Sequence, residues 1–436
     1  MTPQQAPGTG GSAVPALWCG ELELAGEPAV TGIRAYAGQR RARVLLRLHG
    51  DPLGYLEVPV TGAGPDAAEV ARTGAERHVG AIAAHLAAEG VDWTVGDPVP
   101  APASGCPGRF ASDTEVTVVV CTRDRGEALA ECLERLAALT HPHLELLVVD
   151  NAPSDDSTRR VVESFAARDP RFRHVLEPRP GLSRARNRGL AEARGAVIAY
   201  TDDDVAVDPG WVQGLLRGFA RRADVGCVTG LVATAGIDTG EEAYFDARAA
   251  SWSTRCEPEI YDLAGDARDD ALYPYSAGIF GTGANFAFDT AMLRELGGFD
   301  EALGAGAPTR GGEDLDVFVR VLRAGRALAY EPAAVVWHHH RADPAALLRQ
   351  LYGYGTGLTA YLTKCLLQRD VRRDVIRRVP RGLARVVRIR QATDERLGEG
   401  ARAPQGALAS ELRGYLAGPA LYLRARREVG RSRAGA

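Results

Sequence analysis

The stretch "AYTDDDVAVDPGW" (Ala199–Trp211) places three consecutive aspartates directly after an apolar run. Three neighbouring carboxylates repel one another unless a partner neutralises their charge. Asp202 and Asp204 are two residues apart, a spacing that can direct both carboxylates at one divalent cation while Asp203 points elsewhere. Hard oxygen ligands suit Mg²⁺ or Mn²⁺ and leave coordination positions for phosphate oxygens. A solvated acidic loop is the alternative for the triplet alone, but its place after an apolar strand favours a metal site.

The strand before the triplet belongs to a region, beginning at Glu115, in which apolar strands alternate with helices. The segments "VTVVVCT", "LELLVVDN" and "AVIAYTDDD" are apolar through most of their length. That pattern is typical of a mostly parallel sheet flanked by helices on both faces, so we predict an α/β fold of the nucleotide-binding type. Ligands of such sheets bind beyond the carboxyl ends of the strands. The polar residues expected at that edge are Thr122, Arg123, Asp124, Arg125, Asp150, Asn151, Asp202, Asp203 and Asp204.

Shifts in composition predict five segments. They are a flexible tip at 1–14, a small β-rich module with one helix at 15–96, a linker at 97–114, the α/β domain at 115–345 and an arginine-rich helical region at 346–436. The module is predicted from alternating apolar and polar residues around a hairpin turn, and the linker from its Pro, Gly, Ala and Ser content. The sequence indicates no role for the N-terminal module.

Composition narrows the expected partners and location. The 52 basic and 56 acidic residues give a net charge of −4, which argues against a nucleic-acid partner. The seven scattered cysteines predict buried reduced thiols, not a disulfide framework or a zinc site. Without a signal-peptide pattern or an apolar run of ~20 residues, we expect a cytoplasmic protein. The C-terminal arginines leave open peripheral contact with the inner face of the membrane, pairing with another subunit, or a solvated helix face. They are Arg372, Arg373, Arg377, Arg378, Arg381, Arg385 and Arg388.

Two further positions in the α/β region are candidates for donor binding. Asp150 ends a buried strand and can accept hydrogen bonds from a base or ribose, with an Asx turn or helix cap as the alternative. Arg186 lies in "PGLSRARNRG", early in a predicted helix. A helix N-terminus with nearby guanidinium groups suits phosphate, although arginines on a helix also commonly form a solvated face.

An acidic group farther along opens another predicted helix. Glu313, Asp314 and Asp316 follow a glycine-rich stretch, where the helix dipole stabilises carboxylates in any case. The functional interpretation is a general base at the mouth of the crevice. His338 follows a strand-like segment and can supply an imidazole to the metal, with a structural histidine as the alternative.

The order of these motifs resembles the family 2 glycosyltransferases of the GT-A fold. The match runs through "VVVCTRDR", "LLVVDNAPSDDST", "GLSRARNRG", "AYTDDDV", "GANFAF", "GGEDLDVFVRVLRAG" and "VVWHHH", covering roughly Val116 to His340. The resemblance implies an enzyme that transfers a sugar from a nucleoside diphosphate donor to an acceptor hydroxyl, with inversion at the anomeric carbon and with Mn²⁺ or Mg²⁺ as cofactor. Cys121 stands where many relatives have proline.

The resemblance also implies roles for individual residues. Asp314 matches the catalytic base, and Glu313 would orient it or contact the acceptor. Asp204 and Asp202 match the DxD metal motif, and His338 matches a histidine that completes the metal site in some members. The residues assigned to donor binding are Thr122, Arg123, Asp124, Asp150, Arg186, Asp202, Asp203, Gly283 and Asn285.

Two other functions are weighed against the transferase. A non-catalytic nucleotide-sugar or carbohydrate-binding protein needs the crevice but not the base, so the pairing of the triplet with Glu313 and Asp314 argues against it. A nucleotidyltransferase calls for a glycine-rich phosphate loop after the first strand, which "CTRDRGEAL" matches poorly. The acceptor stays open among a glycan, a lipid-linked glycan, a natural product and a peptide.

Overall fold

The computed structural model describes residues 16–264, 272–276, 278–397 and 403–434. The predicted tip at 1–14 lies outside these residues, and so does the side chain of Arg385. Within the described ranges the strands form two sheets, one small and one large. The predicted fold class is confirmed, since a large, mostly parallel sheet flanked by helices is accompanied by an N-terminal sheet module and C-terminal helices.

The N-terminal module is built on a β-hairpin. Its strands are β1 (Leu17–Glu23), β2 (Val30–Thr31), β3 (Arg41–Leu48) and β4 (Asp51–Pro59). β3 and β4 pair antiparallel, and β1 runs parallel to β3. The hairpin turns at His49 and Gly50, both with positive φ (53° and 88°), as a two-residue type I′ turn requires. The two helices of the module pack against the apolar face of this sheet.

The structure interrupts the one helix predicted for this module at a single residue. The chain forms two helices, α1 (Ala67–Arg77) and α2 (Val79–Ala88), which meet at His78. His78 has φ −111° and ψ 21°, outside the helical range. Its ring lies against Gly54 of the hairpin, so closely that a Cβ on Gly54 would be 2.8 Å from it. Packing of this ring against the sheet interrupts a pattern that otherwise has helical periodicity.

The large sheet contains nine strands in the order β12-β14-β10-β13-β8-β5-β6-β7, with β9 paired to β14. Its strands are β5 (Val116–Thr122), β6 (Leu144–Asn151), β7 (Phe172–Glu177), β8 (Val197–Asp202), β9 (Val205–Val207), β10 (Val225–Thr234), β12 (Glu259–Tyr261), β13 (Asn285–Asp289) and β14 (Ala327–His338). β8, β5, β6 and β7 are parallel neighbours, and β13 runs antiparallel between β8 and β10. Register places Thr122 beside Asp150 and Cys121 beside Asp202, so these strand ends share one edge.

Helices cover both faces of this sheet, which explains why its strands are apolar throughout. They are α3 (Gly126–Ala137), α4 (Ser157–Ala166), α5 (Leu182–Glu192), α6 (Trp211–Ala220), α7 (Gly240–Ser253), α8 (Thr290–Glu295), α9 (Glu313–Arg323), α10 (Pro344–Leu367), α11 (Arg372–Leu397) and α12 (Ala407–Ala434). One core packs α3, α4 and α6 against the sheet, and the other packs α5, α8, α9 and α10. α12 packs along α10, and α11 packs against α7. None of the helices in the described ranges has the length and apolar character that crossing a membrane requires.

The N-terminal module is joined to the large sheet through backbone, core and charge. β1 pairs antiparallel with a short strand, β11 (Gly236–Ile237), that directly follows β10. Leu17, Cys19 and Leu45 share one apolar cluster with Leu231 and Trp337. Ion pairs reinforce this contact, and they join Arg34 to Asp238 and Glu242, Arg43 to Asp246, and Arg47 to Asp208. The module is therefore packed firmly against the α/β domain.

Candidate active site

The aspartate triplet lies where β8 ends, and its middle and last residues both contact the Arg125 guanidinium. Asp203 is buried and accepts hydrogen bonds from Thr122 Oγ1 at 2.6 Å and from Arg125 at 2.5 Å. Burial raises the pKa of Asp203, and the Thr122 and Arg125 contacts oppose that rise. Asp203 thus ties the end of β5 to the end of β8. The side chain of Asp202, in contrast, is 35% exposed.

Asp204 is surrounded by positively charged or basic groups. Its carboxylate lies 3.3 Å from Arg125, 3.8 Å from Arg341 and 4.0 Å from His338 Nε2. Burial opposes its ionisation, but His338, Arg125 and Arg341 outweigh burial and lower its pKa. Although the Asp202 side chain is 35% exposed, desolvation by the protein atoms around it raises its pKa to about 7. Arg186 opposes this rise, and Asp204 adds to it. The two carboxylates therefore differ sharply in electrostatic environment.

Strand pairing brings His338 to the triplet. β9 begins one residue after Asp204 and pairs antiparallel with β14, so that Val205 is the direct partner of His338. Burial lowers the pKa of His338 to about 4, which keeps the ring neutral, the form in which histidine binds metals. Its Nδ1 lies 3.1 Å from His340 Nδ1, so its Nε2 is the atom that faces Asp204. At metal–oxygen distances of about 2.1 Å, the 4.0 Å between Nε2 and Asp204 leaves room for one cation.

Arg186 connects the triplet to the acidic group of α9. Its buried guanidinium donates to Glu313 and to the carbonyl of Gly283, each at 2.9 Å, and lies 3.6 Å from Asp202. The rings of Phe286 and Phe299 lie against the same guanidinium, with centroids 4.9 and 5.5 Å away. Arg186 is therefore held from several sides, and little of it is left exposed for a ligand.

Glu313 and Asp314 open α9 and occupy different environments. Glu313 is buried, and burial first, then Asp314, raises its pKa against the opposing effect of Arg186. Asp314 is only partly buried and accepts hydrogen bonds from the backbone N–H of Gly283 at 3.2 Å and of Leu315 at 2.8 Å. A Cβ on Gly283 would lie 3.2 Å from Arg186 and 3.4 Å from Asp314. A small residue at 283 thus lets one backbone position contact both sides of the crevice.

The ends of β5 and β6 form the remaining part of this edge. Asp124 has φ 53° and accepts hydrogen bonds from the N–H and the hydroxyl of Ser154, while the Arg123 side chain is about half exposed. Asp150 is buried with one oxygen 3.2 Å from His174, and its other oxygen has no hydrogen-bond partner among the described residues. Burial raises the pKa of Asp150. An unpartnered buried carboxylate oxygen is the kind of group that a ligand can satisfy.

Asn285 is the predicted donor-binding residue that the structure places apart from the others. Its side chain is buried in the sheet, where it donates to the carbonyls of Leu231 and Ala334 and accepts from the indole of Trp211. Those contacts fill the irregularity between β10 and β14 at residues 230–231. Conversely, the sequence did not single out His340 or Arg341, which lie two and three residues after the predicted ligand His338.

Comparison with known proteins identifies the α/β region. Residues 117–295 match the model of a family described as "Glycosyl transferase family 2". The chain therefore contains a family 2 glycosyltransferase domain. Curated relatives of the glycosyltransferase domain include a glucosyl-dolichyl phosphate glucuronosyltransferase from Haloferax volcanii, 27% identical over 192 residues, 44% of this chain and 57% of the relative. A pre-mycofactocin glycosyltransferase from Mycobacterium tuberculosis is 28% identical over 267 residues, 60% of this chain and 49% of the relative. The chain thus spans about half the length of these relatives.

Solved structures similar to this chain include two transferases. The mannosyltransferase PcManGT from Pyrobaculum calidifontis, in complex with GDP-Man and Mn²⁺, has a TM-score of 0.45 at 18% identity, covering 83% of this chain and 96% of its own. GalNAc-T7, with UDP, GalNAc and Mn²⁺, has a TM-score of 0.40 at 15% identity, covering 57% of this chain and 50% of its own.

Proposed function

We propose that this glycosyltransferase moves a sugar from a nucleoside diphosphate sugar to an acceptor hydroxyl by a metal-dependent, inverting single displacement. The observation that carries the proposal is the position of Asp314. Its carboxylate and the Arg186 guanidinium contact the same residue, Gly283, while Arg186 also approaches Asp202. The candidate base Asp314 and the candidate metal ligand Asp202, more than a hundred residues apart in sequence, are therefore connected through Gly283 and Arg186.

The types of donor atom at the triplet are those that a hard divalent cation such as Mn²⁺ or Mg²⁺ prefers. Asp204 and Asp202 supply carboxylate oxygens, and His338 supplies a neutral imidazole nitrogen. A cation held there would neutralise the negative charge that develops on the departing diphosphate. Arg125 and Arg341, which face Asp204, add positive charge on the same side.

Asp314 is proposed to remove the proton from the acceptor hydroxyl. The N–H groups of Gly283 and Leu315 fix its carboxylate and leave it partly exposed at the crevice. Glu313 is buried and accepts a hydrogen bond from Arg186. Its proposed role is therefore to hold Arg186 in place and not to contact an acceptor. Attack by the acceptor oxygen on the face opposite the leaving diphosphate forms one bond as the other breaks, which inverts the anomeric carbon.

Donor binding is proposed for the ends of β5 and β6. Asp150 ends β6 as the register partner of Thr122. The Arg123 side chain, one residue after Thr122, is about half exposed and is available to a nucleotide. The acceptor stays a prediction among a glycan, a lipid-linked glycan, a natural product and a peptide. The names of the two curated relatives, which refer to a dolichyl phosphate and to pre-mycofactocin, fall within that range.

The test is thermal unfolding of the purified chain with a panel of nucleoside diphosphates and their sugars, with and without Mn²⁺. A ligand at 100 times its Kd stabilises the fold by about 2.7 kcal/mol. We expect one base to raise the Tm, only with metal, and Asp204→Asn to abolish the shift. Asp113→Asn, at a fully exposed carboxylate, is the matched control. If no nucleotide raises the Tm under any condition, the donor site is refuted.

The inverting step is tested separately by proton NMR of the transferred or hydrolysed sugar. We expect the first-formed product to have the anomeric configuration opposite to that of the donor. Retention of configuration would refute the single displacement while leaving the donor site intact. Metal-dependent binding without transfer or hydrolysis of any donor would favour the non-catalytic binding protein instead.

A further inference from the structure

A second cluster of metal-ligating side chains lies in the N-terminal module, outside the glycosyltransferase crevice. It consists of His49 in the hairpin turn, His85 on α2, Glu89 directly after α2, and Cys106 in the following segment. The side chains of His49 and Glu89 are at most 1% exposed, His85 is 12% exposed, and Cys106 is buried. Nothing in the proposed transfer reaction uses these residues.

The four ligand atoms lie at the corners of a small tetrahedron. His49 Nδ1 is 2.7 Å from Glu89 Oε1, 3.2 Å from His85 Nε2 and 3.3 Å from Cys106 Sγ. His85 Nε2 is 3.0 Å from Glu89 Oε1 and 3.4 Å from Cys106 Sγ. The centre of a tetrahedron of this size is about 2 Å from its corners, which is the length of Zn–N and Zn–O bonds.

Each of the four ligands also has a polar neighbour outside the cluster. His49 Nε2 donates to the carbonyl of Pro100 at 2.9 Å, and Glu89 Oε2 accepts from the N–H of Ala103 at 2.8 Å. Cys106 Sγ also accepts from the N–H of Gly108 at 3.3 Å. Finally, His85 Nδ1 faces a carboxylate oxygen of Asp51 at 3.9 Å. Metal-binding histidines commonly have such carbonyl or carboxylate partners, which orient the ring and fix its tautomer.

The four groups direct several lone pairs towards one point. Because a carbonyl oxygen only accepts, the proton of a neutral His49 is on Nε2, and its Nδ1 presents a lone pair. That lone pair faces a carboxylate oxygen, a second imidazole nitrogen and a sulfur at once. A divalent cation at the centre satisfies all of them, and with a thiolate and a carboxylate it makes the buried group electrically neutral.

We propose that His49, His85, Glu89 and Cys106 bind one zinc ion as a closed structural site. Four protein ligands, including one thiolate and two imidazoles, match a tetrahedral Zn²⁺ site with no position left for substrate. The ion joins the hairpin turn, the end of α2 and the segment that leads to β5. Asp51 extends this connection, because its carboxylate also pairs with Arg217 of α6 in the glycosyltransferase domain.

The decisive measurement is zinc K-edge X-ray absorption on the full-length chain, produced with zinc in the medium and freed of any histidine tag. We expect about one tightly held zinc per chain, with one sulfur near 2.3 Å and three nitrogen or oxygen neighbours near 2.0 Å. Zinc bound only by nitrogen and oxygen would place it elsewhere and overturn the proposal. A folded chain that retains no zinc after gel filtration would overturn it as well.

Variants tie the metal to these residues. Cys106→Ser is expected to lose most of the bound zinc and, after Co²⁺ substitution, the thiolate-to-cobalt charge-transfer absorption. Cys256→Ser, at a partly exposed cysteine outside the cluster, is expected to keep both. If Cys106→Ser does not fold, the absorption spectrum of the unmodified chain still decides the proposal. Zinc retained at full stoichiometry in a folded Cys106→Ser chain would contradict it.

Discussion

The molecule contains two groups of histidine and acidic side chains that differ in how closely they are packed. At the aspartate triplet, His338 Nε2 and Asp204 are 4.0 Å apart and Asp202 is 35% exposed. In the N-terminal module, His49 Nδ1 and Glu89 Oε1 are 2.7 Å apart and almost fully buried. The first group is open to the crevice, and the second is largely enclosed, with only His85 of the four reaching 12% exposure.

This difference separates two uses of a metal. An open group of carboxylates leaves coordination positions for substrate oxygens, so its cation arrives and acts together with the donor. A closed group supplies all four ligands itself, so its cation stabilises the fold. Each of the following predictions tests one side of this contrast, beginning with the largest expected effect.

Replacing the proposed base has the largest expected effect. Asp314→Asn keeps the size of the side chain but cannot take a proton, so turnover is expected to fall about 10²–10⁴-fold. Donor binding is expected to stay, because the metal ligands are untouched. Rates of nucleoside diphosphate release, measured beside calorimetric donor affinity, check both parts. Normal turnover would remove Asp314 from the mechanism.

Replacing Arg186, whose guanidinium is buried in the crevice, is expected to destabilise the fold. Arg186→Met leaves Glu313 buried without its partner, which costs about 3–5 kcal/mol of unfolding free energy. The double variant Arg186→Met with Glu313→Gln is expected to recover part of this loss, because no charge is then left unpaired. Urea unfolding of both variants tests the pair. Equal stability of the single variant and the unmodified chain would contradict it.

Chelation is expected to distinguish the two metal groups. Mild EDTA treatment should abolish the nucleotide-dependent stabilisation of about 2.7 kcal/mol, and added Mn²⁺ should restore it. The same treatment should leave the zinc content unchanged, because four buried ligands hold that ion. Elemental analysis and thermal unfolding of the same sample report both results. If mild EDTA removed the zinc together with nucleotide binding, the claim that the two metal groups differ in how tightly they hold their ion would be contradicted.

The smallest predicted effect concerns the partner of His85. Asp51→Asn keeps the shape of the side chain but removes the negative charge that faces His85 Nδ1. Zinc affinity is expected to weaken about 10- to 100-fold while donor affinity is unchanged. Competition with a chromogenic zinc chelator measures the change. The exposed acid Asp113, changed to Asn, provides the control, and an identical loss in both variants would count against a role for Asp51.

Much of the glycosyltransferase crevice can be predicted from sequence because it follows from strand order. Apolar runs predict the parallel strands, and the polar residues after them meet at one edge, as Thr122, Asp150 and Asp202 do. The position of His338 depends on the pairing of β9 with β14. The order of the motifs suggests that His338 lies near the triplet, but hydrophobic periodicity does not predict this pairing. Asn285 shows the limit, because a motif gives a residue's place in the chain and not the direction of its side chain.

The N-terminal module was harder to predict because its main features depend on distant residues. Pairing of β1 with β11 joins segments more than two hundred residues apart, and no local pattern reports it. Likewise, the cysteines were expected to be simple buried thiols, since Cys106 has no neighbouring cysteine or histidine in sequence. The one feature of the sequence that could have indicated a metal site is the pair His85 and Glu89. They are four residues apart at the end of one helix and hence on one face. His49 and Cys106 join them only after folding.

The central claim, that the triplet binds the donor through a shared cation, is tested most directly by calorimetric titration. The nucleoside diphosphate selected by thermal unfolding is titrated into the unmodified chain and into Asp204→Asn, each with Mn²⁺ and with EDTA. We predict binding only in the unmodified chain with Mn²⁺. Equal affinity with EDTA, or in Asp204→Asn with Mn²⁺, would contradict the account.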